Sequence, residues 1–232
     1  IADGEASPPA VAALAAAGSD TETAVRTMTT DDVRAAADLF SQLLPNPRHG
    51  DARVSIEVDP RLAHDTAGTI AQARALWRLV DRPNIYIKIP ATPEGLLAIT
   101  EVIGEGISVN ATLIFSVDTY RAVANAYLDG LELALAAGVD LAPIASVASV
   151  FLSRIDAKVD PALDEIGSPE AAALRGTAAI AGARAAYGAF TQIFGSPRWE
   201  DLAAAGAHVQ RPLWASTGVK DPSYPDTRYV DE

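Results

Sequence analysis

Several short stretches of the chain alternate apolar and polar residues with a period of two, and longer stretches between them repeat apolar residues at helical spacing. Val54, Ile56 and Val58 alternate with Ser55 and Glu57, and Ile85, Ile87 and Ile89 alternate with Tyr86 and Lys88. Residues 107–114 alternate in the same way, with Asn110 and Thr112 among the polar positions. Each pattern predicts a strand with one apolar and one polar face. Residues 145–152 and 212–216 read as two further strands. Between them the helix signals are local. Thr30 before Asp31 and Asp32 reads as an N-cap with acid in the first turn, and Val33, Ala36, Ala37, Phe40 and Leu44 then recur until Pro45 and Pro47 end the helix. A second helix from about Thr66 gathers Ile70, Ala73, Trp77 and Val80 on one side. Thr92 caps a third, with Pro93 at its first position, and Ser116 caps a long one ending near Gly138. Ser168-Pro169-Glu170 opens an alanine-rich helix to about Phe194, and Ser196-Pro197 opens a shorter one ending near Gly206.

Strand and helix in alternation, with crossovers of this length, predict parallel strands covered by helices. The polar alternation then separates two architectures. In an open parallel sheet both faces are buried and the strands read as continuous apolar runs. In a closed barrel the Ile and Val faces meet the helices, and Ser55, Glu57, Tyr86, Lys88, Asn110 and Thr112 converge on one interior. The barrel is the expected fold. A doubly wound sheet remains the alternative, although no glycine-rich phosphate loop follows a strand to support it.

Composition narrows the chemistry. The 232 residues carry a formal net charge of −12, which argues against a nucleic-acid surface, since phosphate-backbone affinity needs clustered Lys and Arg. A small anionic substrate is compatible with that charge, because distant carboxylates are screened within about 10 Å while one or two placed cations act at short range. No apolar run approaches the roughly 20 residues that span a bilayer, so no membrane partner is expected. The absence of cysteine removes disulfides and thiolate metal sites and suits a cytoplasmic protein. His49, His64 and His208 show no ligand spacing, and neither metal nor cofactor is expected. The chain opens on Ile1 with no basic segment before an apolar run, so its first residues read as the start of a fragment rather than as a signal peptide.

Lys88 is the residue that most needs an explanation. It stands within the isoleucine strand, and nothing close in sequence offers its ammonium a partner. A lysine stripped of hydration in this way becomes a better amine nucleophile. An amphipathic strand with a wet face is the structural alternative. Glu57 and the Asn110/Thr112 pair on the adjoining strands weigh against it. An amine, a carboxylate, and an amide with a hydroxyl near the C-terminal ends of successive strands form a set for carbonyl chemistry.

The wording of these strands is also recognisable. Ser-Ile-Glu-Val-Asp-Pro-Arg-Leu-Ala-His-Asp-Thr, Ile-Lys-Ile-Pro-Ala-Thr, Asn-Ala-Thr-Leu-Ile-Phe-Ser and Ser-Val-Phe-Leu-Ser-Arg-Ile-Asp occur in order, followed by Trp-Ala-Ser-Thr-Gly-Val-Lys. The chain resembles the transaldolases, particularly their longer bacterial form, over almost its whole length. The resemblance implies a (β/α)8 TIM barrel of the class I aldolase type, sugar-phosphate substrates, no cofactor, and a cytoplasmic place in the pentose phosphate pathway. It implies that Lys88 forms a Schiff base with a ketose phosphate, and that Glu57 relays protons through a water held with Thr112. Asn110 and Ser149 match residues that contact the bound dihydroxyacetone unit, and Arg154 matches the phosphate arginine. Ser216 matches a serine near that phosphate, with Lys220 displaced from the family's second cation.

The family's first two strands, with an aspartate and a Thr-Thr-Asn-Pro segment, and its eighth strand find no match here. The expectation is therefore a single barrel domain over 1–232, incomplete at both ends, with about five of eight strands. Two other functions fit the same residues: a fructose 6-phosphate aldolase-like lyase, and a noncatalytic piece of a transaldolase.

Overall fold

The computed structural model describes residues 7–43 and 52–231. Five parallel strands form one sheet: β1 (Val54–Glu57), β2 (Ile85–Pro90), β3 (Val109–Ile114), β4 (Ser146–Phe151) and β5 (Arg211–Ala215). Their spatial order is their sequence order. A doubly wound sheet reverses its strand order at a switch point, whereas winding in sequence order describes an arc of a barrel.

The apolar strand faces do what their period requires. Ile56, Ile85, Ile87, Ile89, Val109, Ala111, Ala148 and Val150 join one core with α3 (Thr66–Val80), α4 (Pro93–Gly104), α5 (Val117–Ala136) and α8 (Ala178–Ile193). Helix starts follow the sequence signals closely. Asp65, Thr92, Ser116, Ser168 and Ser196 each accept a backbone N–H in the first turn of the helix they open. Helices α4 and α5 approach so closely at Gly130 that a Cβ there would stand 2.6 Å from the Cβ of Ile103.

Two local expectations are corrected. Helix α2 runs Thr21–Phe40 and is capped by Asp20, so Thr30 is buried mid-helix, where its hydroxyl bonds back to the carbonyls of Arg26 and Thr27. A threonine hydroxyl satisfied by the preceding turn is as compatible with a helix interior as with a cap. Leu44, Pro45, Pro47, His49 and Gly50 lie outside the described residues. The alanine-rich segment is two helices, α7 (Pro169–Ala173) and α8, separated by a turn in which Gly176 has φ 65°. Residues 153–166, for which the sequence pattern predicts no element, form α6 (Ser153–Ile166), with Pro161 inside it and a hydrophilic inner face. That inner face is held by polar bonds: buried Asp156 accepts from Ala179 N–H and Tyr229 O–H, and Asp160 accepts from Gly176 N–H and Tyr224 O–H. Among the other described elements, α1 (Ser7–Ala16), α9 (Pro197–Ala204) and α10 (Arg228–Asp231) are shorter and peripheral to the strands.

The N-terminal ends of the strands are tied by side chains that bond to backbone. Asn84 is fully buried and donates to the carbonyls of Ala37 and Ala52 at 2.8 and 3.0 Å. Arg53 donates to the carbonyls of Pro83 and Pro143, lies over the Tyr86 ring, and loses proton affinity through burial. Ser146 donates to the Val109 carbonyl, and Gln210 donates in turn to the Ser146 hydroxyl. These bonds join segments distant in sequence and fix the sheet from below.

Candidate active site

Strand register decides which polar side chains meet. Glu57 lies opposite Lys88, and Lys88 opposite Asn110, so an acid, an amine and an amide stand side by side on one face. Lys88 Nζ is 3.0 Å from Glu57 Oε2. The sequence offers this ammonium no partner close by and places Glu57 only on the same interior face; the two stand 31 residues apart, and the parallel pairing of β1 with β2 sets them opposite each other. The lysine side chain retains 28% of its exposure, and the glutamate 44%, so the pair is open to an incoming ligand.

Asn110 is held at both ends. Its Nδ2 donates to Ser55 Oγ at 3.1 Å, and its Oδ1 accepts from Ser149 Oγ at 2.7 Å. Ser55 is on β1 and Asn110 on β3, two strand spacings apart, or roughly 10 Å in a flat sheet. The bond between them therefore spans β2 on a concave face. Thr112 sits one further pleat along β3, opposite Pro90; it is wholly buried, and its hydroxyl has no hydrogen-bond partner among the described residues. An orphaned buried hydroxyl costs stability and marks a place where a polar ligand finds a partner.

The other expected residues lie farther along the same end of the sheet. Ser149 is buried on β4. Arg154 is exposed at the start of α6, with its guanidinium 5.0 Å from the ring of Phe151, and among the described residues no carboxylate pairs with it. In an acidic chain whose Arg61, Arg74, Arg82, Arg175 and Arg198 all hold carboxylates, that is a cation left available. Ser216, just after β5, adopts φ 55°, and its hydroxyl lies 2.9 Å from that of Ser153 beside Arg154. Lys220 is elsewhere: it lines a cavity of about 410 Å³ with Asp156, Asp160 and Tyr224, of which neither Arg154 nor Ser216 forms part. A larger groove of about 820 Å³ follows β1 toward α2, and Glu57 and Ser55 open onto it.

Sequence reading passed over the aromatic rim. Phe115 and Phe151 stack at 5.2 Å between ring centroids at this end of β3 and β4. The available signal was a broken alternation, since Leu113, Ile114 and Phe115 are three consecutive apolar residues after a period-two run. No group of three or more His, Asp or Glu side chains among the described residues is arranged to hold a metal ion. No described helix is long and apolar enough to cross a membrane.

Parallel strands wound in sequence order, carrying an amine and a carboxylate paired on one face, define a barrel-type α/β protein whose candidate site holds groups suited to carbonyl chemistry. Comparison with known proteins makes this more particular. The family model described as Transaldolase/Fructose-6-phosphate aldolase matches residues 1–232, and the chain belongs to that family. It is 60% identical over 232 residues to Transaldolase 1 of Streptomyces avermitilis, covering 100% of this chain and 61% of that protein. It is 61% identical over 219 residues to the transaldolase of Mycolicibacterium smegmatis, covering 94% of this chain and 59% of that one. With the transaldolase of Mycolicibacterium paratuberculosis it shares 58% over 233 residues, 100% of this chain and 62% of the relative. The chain thus spans about three fifths of the length of these curated relatives.

Proposed function

We propose that the protein carrying this chain is a transaldolase, moving a dihydroxyacetone unit from a ketose phosphate to an aldose phosphate through a lysine Schiff base. The reaction is sedoheptulose 7-phosphate and glyceraldehyde 3-phosphate to erythrose 4-phosphate and fructose 6-phosphate, in the cytoplasmic pentose phosphate pathway. The 3.0 Å pair of Lys88 and Glu57 on a concave polar face carries the reading. The family includes aldolases, but the three relatives above are all named transaldolases, which favours transfer over release.

The geometry suggests an order of steps. At rest Glu57 holds the ammonium of Lys88. When the ketose enters, Glu57 takes a proton, and the free amine adds to the ketone carbon. Return of that proton to the carbinolamine oxygen expels water and leaves the iminium. The carbon–carbon bond one atom removed from the iminium carbon, between its α and β carbons, then breaks; its electron pair forms the enamine, and the β-hydroxyl, losing its proton to Glu57 through a water held by Thr112, becomes the carbonyl of the departing aldose. Asn110, preset by Ser55 and Ser149, supplies amide hydrogen bonds to the three-carbon unit. The enamine then attacks the acceptor aldehyde, and water releases the product. Arg154, with Ser216 beside it, is suited to the phosphate because a guanidinium donates two parallel hydrogen bonds.

The test is covalent. Full-length protein incubated with fructose 6-phosphate and then borohydride is expected to carry a three-carbon adduct on the peptide containing Ile87-Lys88-Ile89. Lys88→Arg is expected to carry none, because a guanidinium stays protonated. An adduct on Lys158 or Lys220, or full activity in Lys88→Arg, rejects the mechanism.

A further inference from the structure

Strand β3 contains one residue more than its neighbour can pair. Ala111 lies opposite Ala148 and Ile114 opposite Val150, so three steps on β3 face two on β4. The extra residue is Leu113, with φ 63°, a left-handed conformation that a leucine adopts at a cost of about 1–2 kcal/mol. Bulges at strand ends re-aim the side chains that follow them, and strain retained beside a site calls for a compensating role.

Here the re-aiming is visible. Without the bulge, alternation would turn Ile114 toward the polar face and Phe115 toward the helices. With it, Ile114 is completely buried in the core and Phe115 is exposed at the rim, stacked on Phe151. Phe151 in turn carries the guanidinium of Arg154 over its ring at 5.0 Å. We propose that the left-handed bulge at Leu113 is a positioning device, which delivers Phe115 to the rim so that the Phe115–Phe151 stack orients Arg154 for a phosphate. The inference rests on the phosphate reading of Arg154. It makes Phe115 a positioning residue that acts through Phe151 without touching the reacting carbon.

The experiment uses full-length protein and two probes. One is inorganic phosphate as a competitor of fructose 6-phosphate. The other is dihydroxyacetone, an unphosphorylated ketone trapped on Lys88 by borohydride. Phe115→Ala is expected to weaken phosphate inhibition roughly 3–10-fold, the scale of one aromatic pair, while the trapping rate with dihydroxyacetone stays within about twofold. Phe115→Tyr restores phosphate affinity. Leu113→Gly, which tolerates positive φ, keeps it, whereas Leu113→Ile, whose β-branch disfavours that backbone, reproduces the Phe115→Ala defect. Arg154→Ala weakens phosphate, and adding Phe115→Ala to it produces no further loss. Equal losses with both probes, or a Phe115→Ala loss that persists in full in the Arg154→Ala background, overturn the positioning role. Phosphate inhibition unchanged in Phe115→Ala but weakened in Arg154→Ala overturns it and leaves the phosphate reading standing. Phosphate inhibition unchanged in Arg154→Ala overturns both.

Discussion

The two ends of the same strands are built from similar residues bonded in different ways. At the N-terminal ends Asn84, Arg53 and Ser146 donate to backbone carbonyls of other segments. From the middle of the strands toward their C-terminal ends, Glu57 bonds Lys88, and Asn110 bonds both Ser55 and Ser149, side chain to side chain. A backbone carbonyl cannot rotate away, so the first arrangement fixes the sheet. A side-chain partner can be exchanged for a ligand group at little structural cost, so the second is free to do chemistry. On the proposed function, the polar residues of this sheet thus divide into those that hold segments together and those available to a ligand.

Substitutions at the two ends test that division, and the largest effect is expected at Glu57. Glu57→Gln preserves shape but cannot relay a proton, so turnover should fall by about 10²–10⁴-fold with the melting temperature nearly unchanged, since the pair it leaves is solvent-exposed. A loss of stability matching the loss of rate would erase the distinction. At the other end, Asn84→Ala removes the shared donor of two buried carbonyls and should cost about 2–3 kcal/mol in denaturant unfolding. Its folded fraction should keep normal turnover per site, and a selective catalytic defect would contradict the holding role.

Thr112 offers a sharper contrast, because its two effects should have opposite signs. Thr112→Val deletes an unpartnered buried hydroxyl and should leave stability unchanged or raise it by up to about 1 kcal/mol, yet turnover should slow if the hydroxyl holds the relay water. Parallel thermal melts and steady-state rates separate the two.

The smallest effect concerns pH. Asp59 follows β1, and the Arg61 guanidinium and backbone N–H hold its carboxyl down to about 2. A carboxylate whose folded value is depressed contributes stability at pH above its unfolded value, roughly 3.9, and loses that contribution as pH falls through the folded value. Asp59→Asn should therefore flatten the stability profile between about pH 4 and pH 2 and change little at neutrality. An acid-unfolding curve identical to that of the parent would show that this exposed contact contributes nothing.

Much of this organisation was legible in the sequence because it depends on local periodicity. Period-two runs marked β1, β2 and β3, short strand-like segments marked β4 and β5, and Ser or Thr three residues ahead of a backbone N–H marked the starts of α4, α5, α7 and α9. Polar residues on alternate strand positions, where an open sheet would bury both faces, pointed to barrel winding and to Lys88, Glu57 and Asn110 on one side. The order of four motifs identified the family. Register, bulge and ion pairing were decided only by the tertiary structure. Glu57 is 31 residues from Lys88, and no local pattern states that the two are opposite each other. Leu113 is a poor residue for positive φ, so only the mismatch of β3 against β4 shows why the alternation fails there and why Phe115 turns to the rim. Local spacing sets which face a side chain occupies, because that follows from backbone geometry within a few residues; which partner it meets follows from strand pairing between distant segments, and that is settled only when the core closes.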